Sequence, residues 1–77
     1  GDYNTAIGNQ SGTDLNTGSL NTFVGYYSGA KVTEGADNVL VGREAGSAIT
    51  SGDYNTLIGG SAGKAYDTES HNTGVGY

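Results

Sequence analysis

Asn4-Thr5-Ala6-Ile7-Gly8 returns as Asn21-Thr22-Phe23-Val24-Gly25, Asn38-Val39-Leu40-Val41-Gly42, Asn55-Thr56-Leu57-Ile58-Gly59 and Asn72-Thr73-Gly74-Val75-Gly76, each copy 17 residues after the last. No insertion or deletion disturbs the register. A fixed period of this kind marks a repeat architecture, in which each unit buries its surface only against its neighbours. Residues 1–77 thus form a single repeat segment of about 4.5 coils, beginning at Asn4, Asn21, Asn38, Asn55 and Asn72. The segment carries no polar capping unit at either end, which predicts a longer fibre on both sides.

Numbered from its asparagine, the repeat has β-branched residues at position 4 (Ile7, Val24, Val41, Ile58, Val75) and at position 2 (Thr5, Thr22, Val39, Thr56, Thr73). Such residues favour strands, and alternation puts positions 2 and 4 on one face. We expect that face to be the interior. Glycine follows at position 5 and again at position 9, a turn signal. Position 8 is small (Ser11, Ser28, Ala45, Ala62), as a tight corner requires. Position 12 is apolar again: Leu15, Val32, Ile49 and Tyr66. It predicts a second short strand whose side chains meet Ile7, Val24, Val41, Ile58 and Val75 in an inner core. Gly18, Gly35 and Gly52 open the second turn, with Glu69 departing from the rule. A helix is excluded because glycine recurs every few residues, each costing up to about 1 kcal/mol in a helix interior. The expected fold is all-β: a parallel β-solenoid, or β-roll, with coils of two short strands and two glycine-rich turns. Coils stacked about 4.8 Å apart would align the asparagines into a ladder of amides bonded from coil to coil.

Composition narrows the function classes. The chain has no cysteine and therefore no disulfide framework, and its one histidine, His71, leaves little from which to build a metal cluster. Three basic and eight acidic residues give a net charge of −5, opposite to what a nucleic-acid surface needs. No apolar stretch approaches the roughly 20 residues of a membrane span, so insertion by this segment is not expected.

Position 3, facing opposite to positions 2 and 4, holds Ala6, Phe23, Leu40, Leu57 and Gly74. If it faces outward, Ala6, Phe23, Leu40 and Leu57 form an apolar stripe along the rod, and contiguous exposed apolar surface marks an interface. Lengthwise association with identical rods follows, with a closed homotrimer as the expected state.

The Asn-Thr-x-Ile/Val-Gly segments, with a period covering the whole chain, resemble the Ser-Val-Ala-Ile-Gly repeats of trimeric autotransporter adhesin heads. They are also similar to the Asn-Thr-Ala-Ile-Gly repeats of bacteriophage tail-fibre shafts. The resemblance implies a trimer of parallel β-rolls exposed on a cell or virion, serving as shaft or adhesive head and presenting a surface to a host glycan or protein receptor. Coils of 17 residues are longer than those of the adhesin heads, which implies longer turns. No catalytic residue carries over.

The residues alone also favour a non-enzyme, with no catalytic group, cofactor or metal expected. The aspartates near the second turn (Asp2, Asp37, Asp53, Asp67) shift among repeat positions, unlike the fixed aspartate of calcium-binding rolls. Gly59-Gly60-Ser61-Ala62-Gly63-Lys64 fails the spacing of a phosphate loop. Asp53 with Glu69, or Asp37 with Glu34, are the carboxylate pairs a tailspike glycosidase would need, but nothing separates them from solvated turn charges. Tyr26 and Tyr27 in the first turn and Tyr3 and Tyr54 before the asparagine read first as aromatic residues stacked on one another in structural ladders, with stacking on sugars as the alternative. The leading expectation is a structural or adhesive segment of an extracellular, cell-surface or virion fibre. The alternatives are an ice-binding or carbohydrate-binding solenoid, or the non-catalytic part of a tailspike enzyme. Ice binding needs a flat outward array of threonine, and the regular threonine position is expected to face inward.

Overall fold

A computed structural model describes residues 3–63 and 70–76. Its elements are the strands β1 (Thr5–Ile7), β2 (Thr22–Val24), β3 (Val39–Val41), β4 (Thr56–Ile58) and β5 (Thr73–Val75), all in one sheet in chain order. Every neighbouring pair is parallel and in perfect repeat register: Thr5 lies opposite Thr22, Phe23 opposite Leu40, Leu57 opposite Gly74. The chain is therefore a parallel β-solenoid in which one coil takes one repeat, and no helix occurs among the described residues.

The opposite wall differs from the expected second strand. Among the described residues, positions 10–16 form turns and bends. Bonds from residue i+3 back to residue i curl the chain into this wall: Val32 N–H donates to the Gly29 carbonyl at 3.1 Å and Ile49 N–H to the Gly46 carbonyl at 3.1 Å. The coils still bond to each other. The amides of Asn16, Thr17 and Gly18 converge on the Thr33 carbonyl at 3.1, 3.1 and 3.0 Å, and those of Thr33, Glu34 and Gly35 on the Thr50 carbonyl. A tightly curled segment cannot extend its amides in a ladder, so several donors share one acceptor.

The interior is the reverse of the sequence expectation. Phe23, Leu40 and Leu57, assigned to an outward association stripe, are fully buried, and only Ala6, in the first described coil, is exposed. The assigned inner-core residues of position 4 face out: Ile7, Ile58 and Val75 are 59%, 41% and 78% exposed, and Val24 and Val41 are half-buried. The position-12 residues stand as expected. Val32 and Ile49 are fully buried, with Leu15 partly buried against the same cluster. Tyr66 lies outside the described residues, as do Asp2, Lys64, Asp67 and Glu69.

The physical reason is parity. Positions 1, 3 and 5 share a face, and in the coils between the ends the asparagines of position 1 are buried. Large side chains without branching at Cβ, Phe23, Leu40 and Leu57, span the thin gap to position 12, while small Ala45 and Ala62 fill the corner. Strand propensity says that positions 2 and 4 belong to a strand; it does not say which way they point. Four of the five position-2 residues are threonine, whose hydroxyl in a dry core would need a partner.

Glycine at position 5 is demanded twice. Gly25 and Gly42 adopt φ of +125° and +129°, and a Cβ on Gly42 would sit 2.5 Å from the Gly59 carbonyl oxygen of the next coil.

The face assignment has a direct test. Leu40→Asp places a charge in the core and should abolish the cooperative unfolding transition, whereas Val41→Asp should leave the fold intact. Leu40→Ala should cost about 2–5 kcal/mol in denaturant titration. Equal effects of the two aspartate variants would show the assignment to be wrong.

Candidate interaction face

The asparagine row is the best-defined polar site. Asn21 Nδ2 donates to Asn4 Oδ1 at 3.1 Å, Asn38 Nδ2 to Asn21 Oδ1 at 3.0 Å, Asn55 Nδ2 to Asn38 Oδ1 at 3.0 Å, and Asn72 Nδ2 to Asn55 Oδ1 at 3.0 Å. Each acceptor oxygen also takes the backbone amide of the next asparagine, at 2.9–3.1 Å. The second amide hydrogen turns inward across the coil: Asn4 donates to the Gly18 carbonyl at 2.9 Å, Asn21 to Gly35 at 2.8 Å and Asn38 to Gly52 at 2.9 Å. The row thus joins coils and also closes each coil, tying position 1 to position 15. Asn21, Asn38 and Asn55 are buried, so these carboxamides cannot turn to water instead. Glycine at position 15 leaves room for the amide: a Cβ on Gly35 would lie 3.1 Å from Asn38 Nδ2 and 2.4 Å from the Gly52 oxygen.

The opposite side of the same strands is open. Thr5, Thr22, Val39, Thr56 and Thr73 form one row, and Ile7, Val24, Val41, Ile58 and Val75 the next. Neighbours within a row are one strand spacing apart, about 4.8 Å, and the rows are roughly 6.6 Å apart along the strand. No ionisable residue stands in either row, although 14% of the chain is charged. One border of the face is position 17, where Tyr3, Leu20, Asp37, Tyr54 and His71 all take positive φ between 59° and 65°. Tyr3, Leu20, Tyr54 and His71 are exposed there, and the rings of Tyr54 and His71 stack with centroids 5.0 Å apart.

The remaining candidates resolve into local roles. Asp53 Oδ1 accepts the Ala36 amide at 2.8 Å, and the Asp53 amide donates to Ser70 Oγ at 2.9 Å, so this carboxylate links coils. Exposed Arg43 and half-buried Glu44 form a surface pair, Nη1 to Oε1 at 3.6 Å, of the kind that adds little to stability. Among the described residues no group of three His, Cys, Asp or Glu is placed to hold a metal ion, and no helix is long and apolar enough to cross a membrane. Among the described residues no pocket opens in the surface. What the arrangement offers is two flat, regular, uncharged rows and a series of polar corners. Comparison with protein-family models, curated proteins and solved structures finds no match.

The ladder carries its own prediction. Asn38→Ala strands the Gly52 carbonyl and the Asn55 side-chain amide, and should cost about 2–4 kcal/mol in denaturant titration. Asn38→Asp still accepts from Asn55 but cannot donate to Asn21 Oδ1 or the Gly52 carbonyl. Burial and those carbonyls raise its folded pKa above the unfolded value of about 3.9. The folded state then binds the extra proton, so this variant should lose stability as pH rises above about 4 and regain it below. A flat difference from wild type between pH 3 and 7 would contradict the buried ladder.

Proposed function

We propose that this segment is a rigid, self-associating shaft or head of an extracellular, cell-surface or virion fibre, built as a homotrimer about its sheet face. The observation that carries the reading is the pair of outward rows, above all Ile7, Val24, Val41, Ile58 and Val75, which leave β-branched apolar surface in water along the length of the solenoid. The interface residues are therefore position 4, flanked by the threonines of position 2; the earlier candidates Phe23, Leu40 and Leu57 are core. Identical rows repeat at one spacing, so a second copy matches them coil for coil. A face of three-residue strands falls short of the roughly 800 Å² per partner of a standard interface. A three-fold arrangement addresses this, because each face then meets both neighbours around a shared axis. The resemblance of Asn-Thr-x-Ile/Val-Gly to adhesin-head and tail-fibre repeats supports the same assembly and an exposed location, with a host-surface glycan or protein as receptor.

A second reading gains from the reversal of faces. Thr5-x-Ile7, Thr22-x-Val24, Thr56-x-Ile58 and Thr73-x-Val75 now form the flat outward threonine array that ice binding requires, interrupted only by Val39. The two readings compete for one face, since an assembled trimer covers it.

Light scattering should find a trimer at micromolar concentration, and a Val41→Asp, Ile58→Asp variant should be a folded monomer by the same measurement and by circular dichroism. A wild-type monomer would sink the fibre reading. Thermal hysteresis in that monomer, abolished by Thr22→Leu with Thr56→Leu, would establish the second reading in its place.

A further inference from the structure

The corner that follows each strand is a second surface, separate from the sheet face. Positions 6 and 7 hold Asn9-Gln10, Tyr26-Tyr27, Arg43-Glu44 and Gly60-Ser61 in successive coils. The backbone there is constant: position 7 has φ of 61°, 63°, 61° and 60°. The amides of Tyr27, Glu44 and Ser61 donate to the position-6 carbonyls of the preceding coils at 3.0, 2.8 and 2.7 Å. The stack thus dictates the main chain of this corner while its side chains change completely from coil to coil. These residues do not repeat, and they bring an aromatic pair, amides and a charged pair together on adjacent coils.

We infer that this corner is a carbohydrate-binding site that takes a neutral oligosaccharide running along the solenoid axis, with Tyr26 as its stacking platform. The inference deepens the proposed fibre reading, for which it names the receptor class. Tyr26 is 49% exposed, and its ring lies 5.7 Å from that of half-buried Tyr27 at a 31° tilt, which braces it from one side. An amphipathic ring of this kind matches the C–H face of a pyranose. Asn9, Tyr26 and Arg43 succeed one another at about 4.8 Å, so the row spans about 10 Å, the length of a disaccharide. The Arg43 side chain is 65% exposed and lies beside Glu44, so donors and an acceptor stand together with no net charge. Vicinal hydroxyls use both; the pair is locally neutral, and an anionic sugar would approach a chain of net charge −5. The exposed amides of Asn9 and Gln10 repeat this donor–acceptor pairing on the other side of Tyr26. The Tyr54–His71 stack is the other aromatic candidate, but it borders the sheet face that self-association covers.

The test is a nuclear magnetic resonance titration of the whole chain, isotope-labelled, with cellotriose, maltotriose, chitotriose and a β-galactotriose, and with a sialylated trisaccharide as the acidic comparison. Saturable shifts confined to residues 9–10, 26–27 and 43–44 are expected with at least one neutral sugar and no better with the acidic one. Tyr26→Ala should weaken that binding about tenfold, Arg43→Ala should weaken it too, and Tyr54→Ala should leave it unchanged, with circular dichroism showing all three folded. No saturable shift with any sugar, or binding that survives Tyr26→Ala, overturns the inference. Light scattering on the same samples separates it from the assembly reading: a monomer that binds sugar keeps the corner and removes the trimer, and a trimer that binds none does the reverse.

Discussion

A buried carboxamide has two donor hydrogens and an acceptor oxygen to satisfy, and away from water it must satisfy them within the protein. Asn38 does so by reaching one coil back to Asn21, across its own coil to the Gly52 carbonyl, and by receiving both amides of Asn55. Nearly every other regularity follows from this arrangement. The coil must bring position 15 back to position 1, which gives it a set length. The next coil must present its asparagine at the same place, which forbids insertions. Gly18 and Gly35 stand at position 15, where a Cβ would collide with both the asparagine amide and the carbonyl of the following coil. A half-satisfied row would be worse than an apolar one, so the ladder acts as a register device as much as a source of stability.

The hydrophobic part of the fold is thin by comparison. The coils beginning at Asn21 and Asn38 each contribute one large residue from the strand and one from the curled wall, Phe23 with Val32 and Leu40 with Ile49, with a serine or alanine at the corner. A 77-residue globular chain with 34% hydrophobic residues would struggle to assemble a three-dimensional core. Stacking avoids the difficulty because the same small core is continued from coil to coil, each coil depending on its neighbours alone. It also explains the three-residue strands. Only position 3 needs to reach inward between asparagine and glycine, so a longer strand would add no buried residue.

Much of this was legible in the sequence and some was not. The period, the coil boundaries, the parallel stacking, the amide ladder and the inward role of Leu15, Val32 and Ile49 could all be read from the spacing of Asn4 to Asn72 and from the apolar position 12. The direction of the strand side chains could not be read from β-branching, because Val41 and Ile58 suit a strand on either face. The available signals were the threonines at position 2 and the shared parity of Asn38 with Leu40. If the asparagines bond to one another out of water, the residue two along must be buried with them. The second wall was misread as a strand because apolar Val32 and Ile49 suggest one, whereas the glycines on either side of them let the chain curl. Phe23, Leu40 and Leu57, expected in an outward stripe, are core, and the exposed apolar row lies instead at position 4.

Repetition itself then becomes an instrument for separating structure from function within a single chain. Positions 1, 3, 5, 9 and 12 hold the coil together; asparagine at 1 and glycine at 5 and 9 are constant because each copy must fit the one above and below. Positions 2 and 4 also repeat, yet in water they contribute little to the coil; their regularity acquires a physical purpose only when something equally regular lies against them, whether another copy of the rod or an ordered lattice of water. Positions 6 and 7 do the opposite. Their backbone is constant while Asn9, Tyr26, Arg43 and Gly60 have nothing in common, so each coil presents a different chemical letter on the same scaffold. A rod of this design can lengthen by adding coils without disturbing its core, and can change what it recognises by altering the corners alone. On the proposed reading, that separation of duties is where specificity in such a solenoid resides.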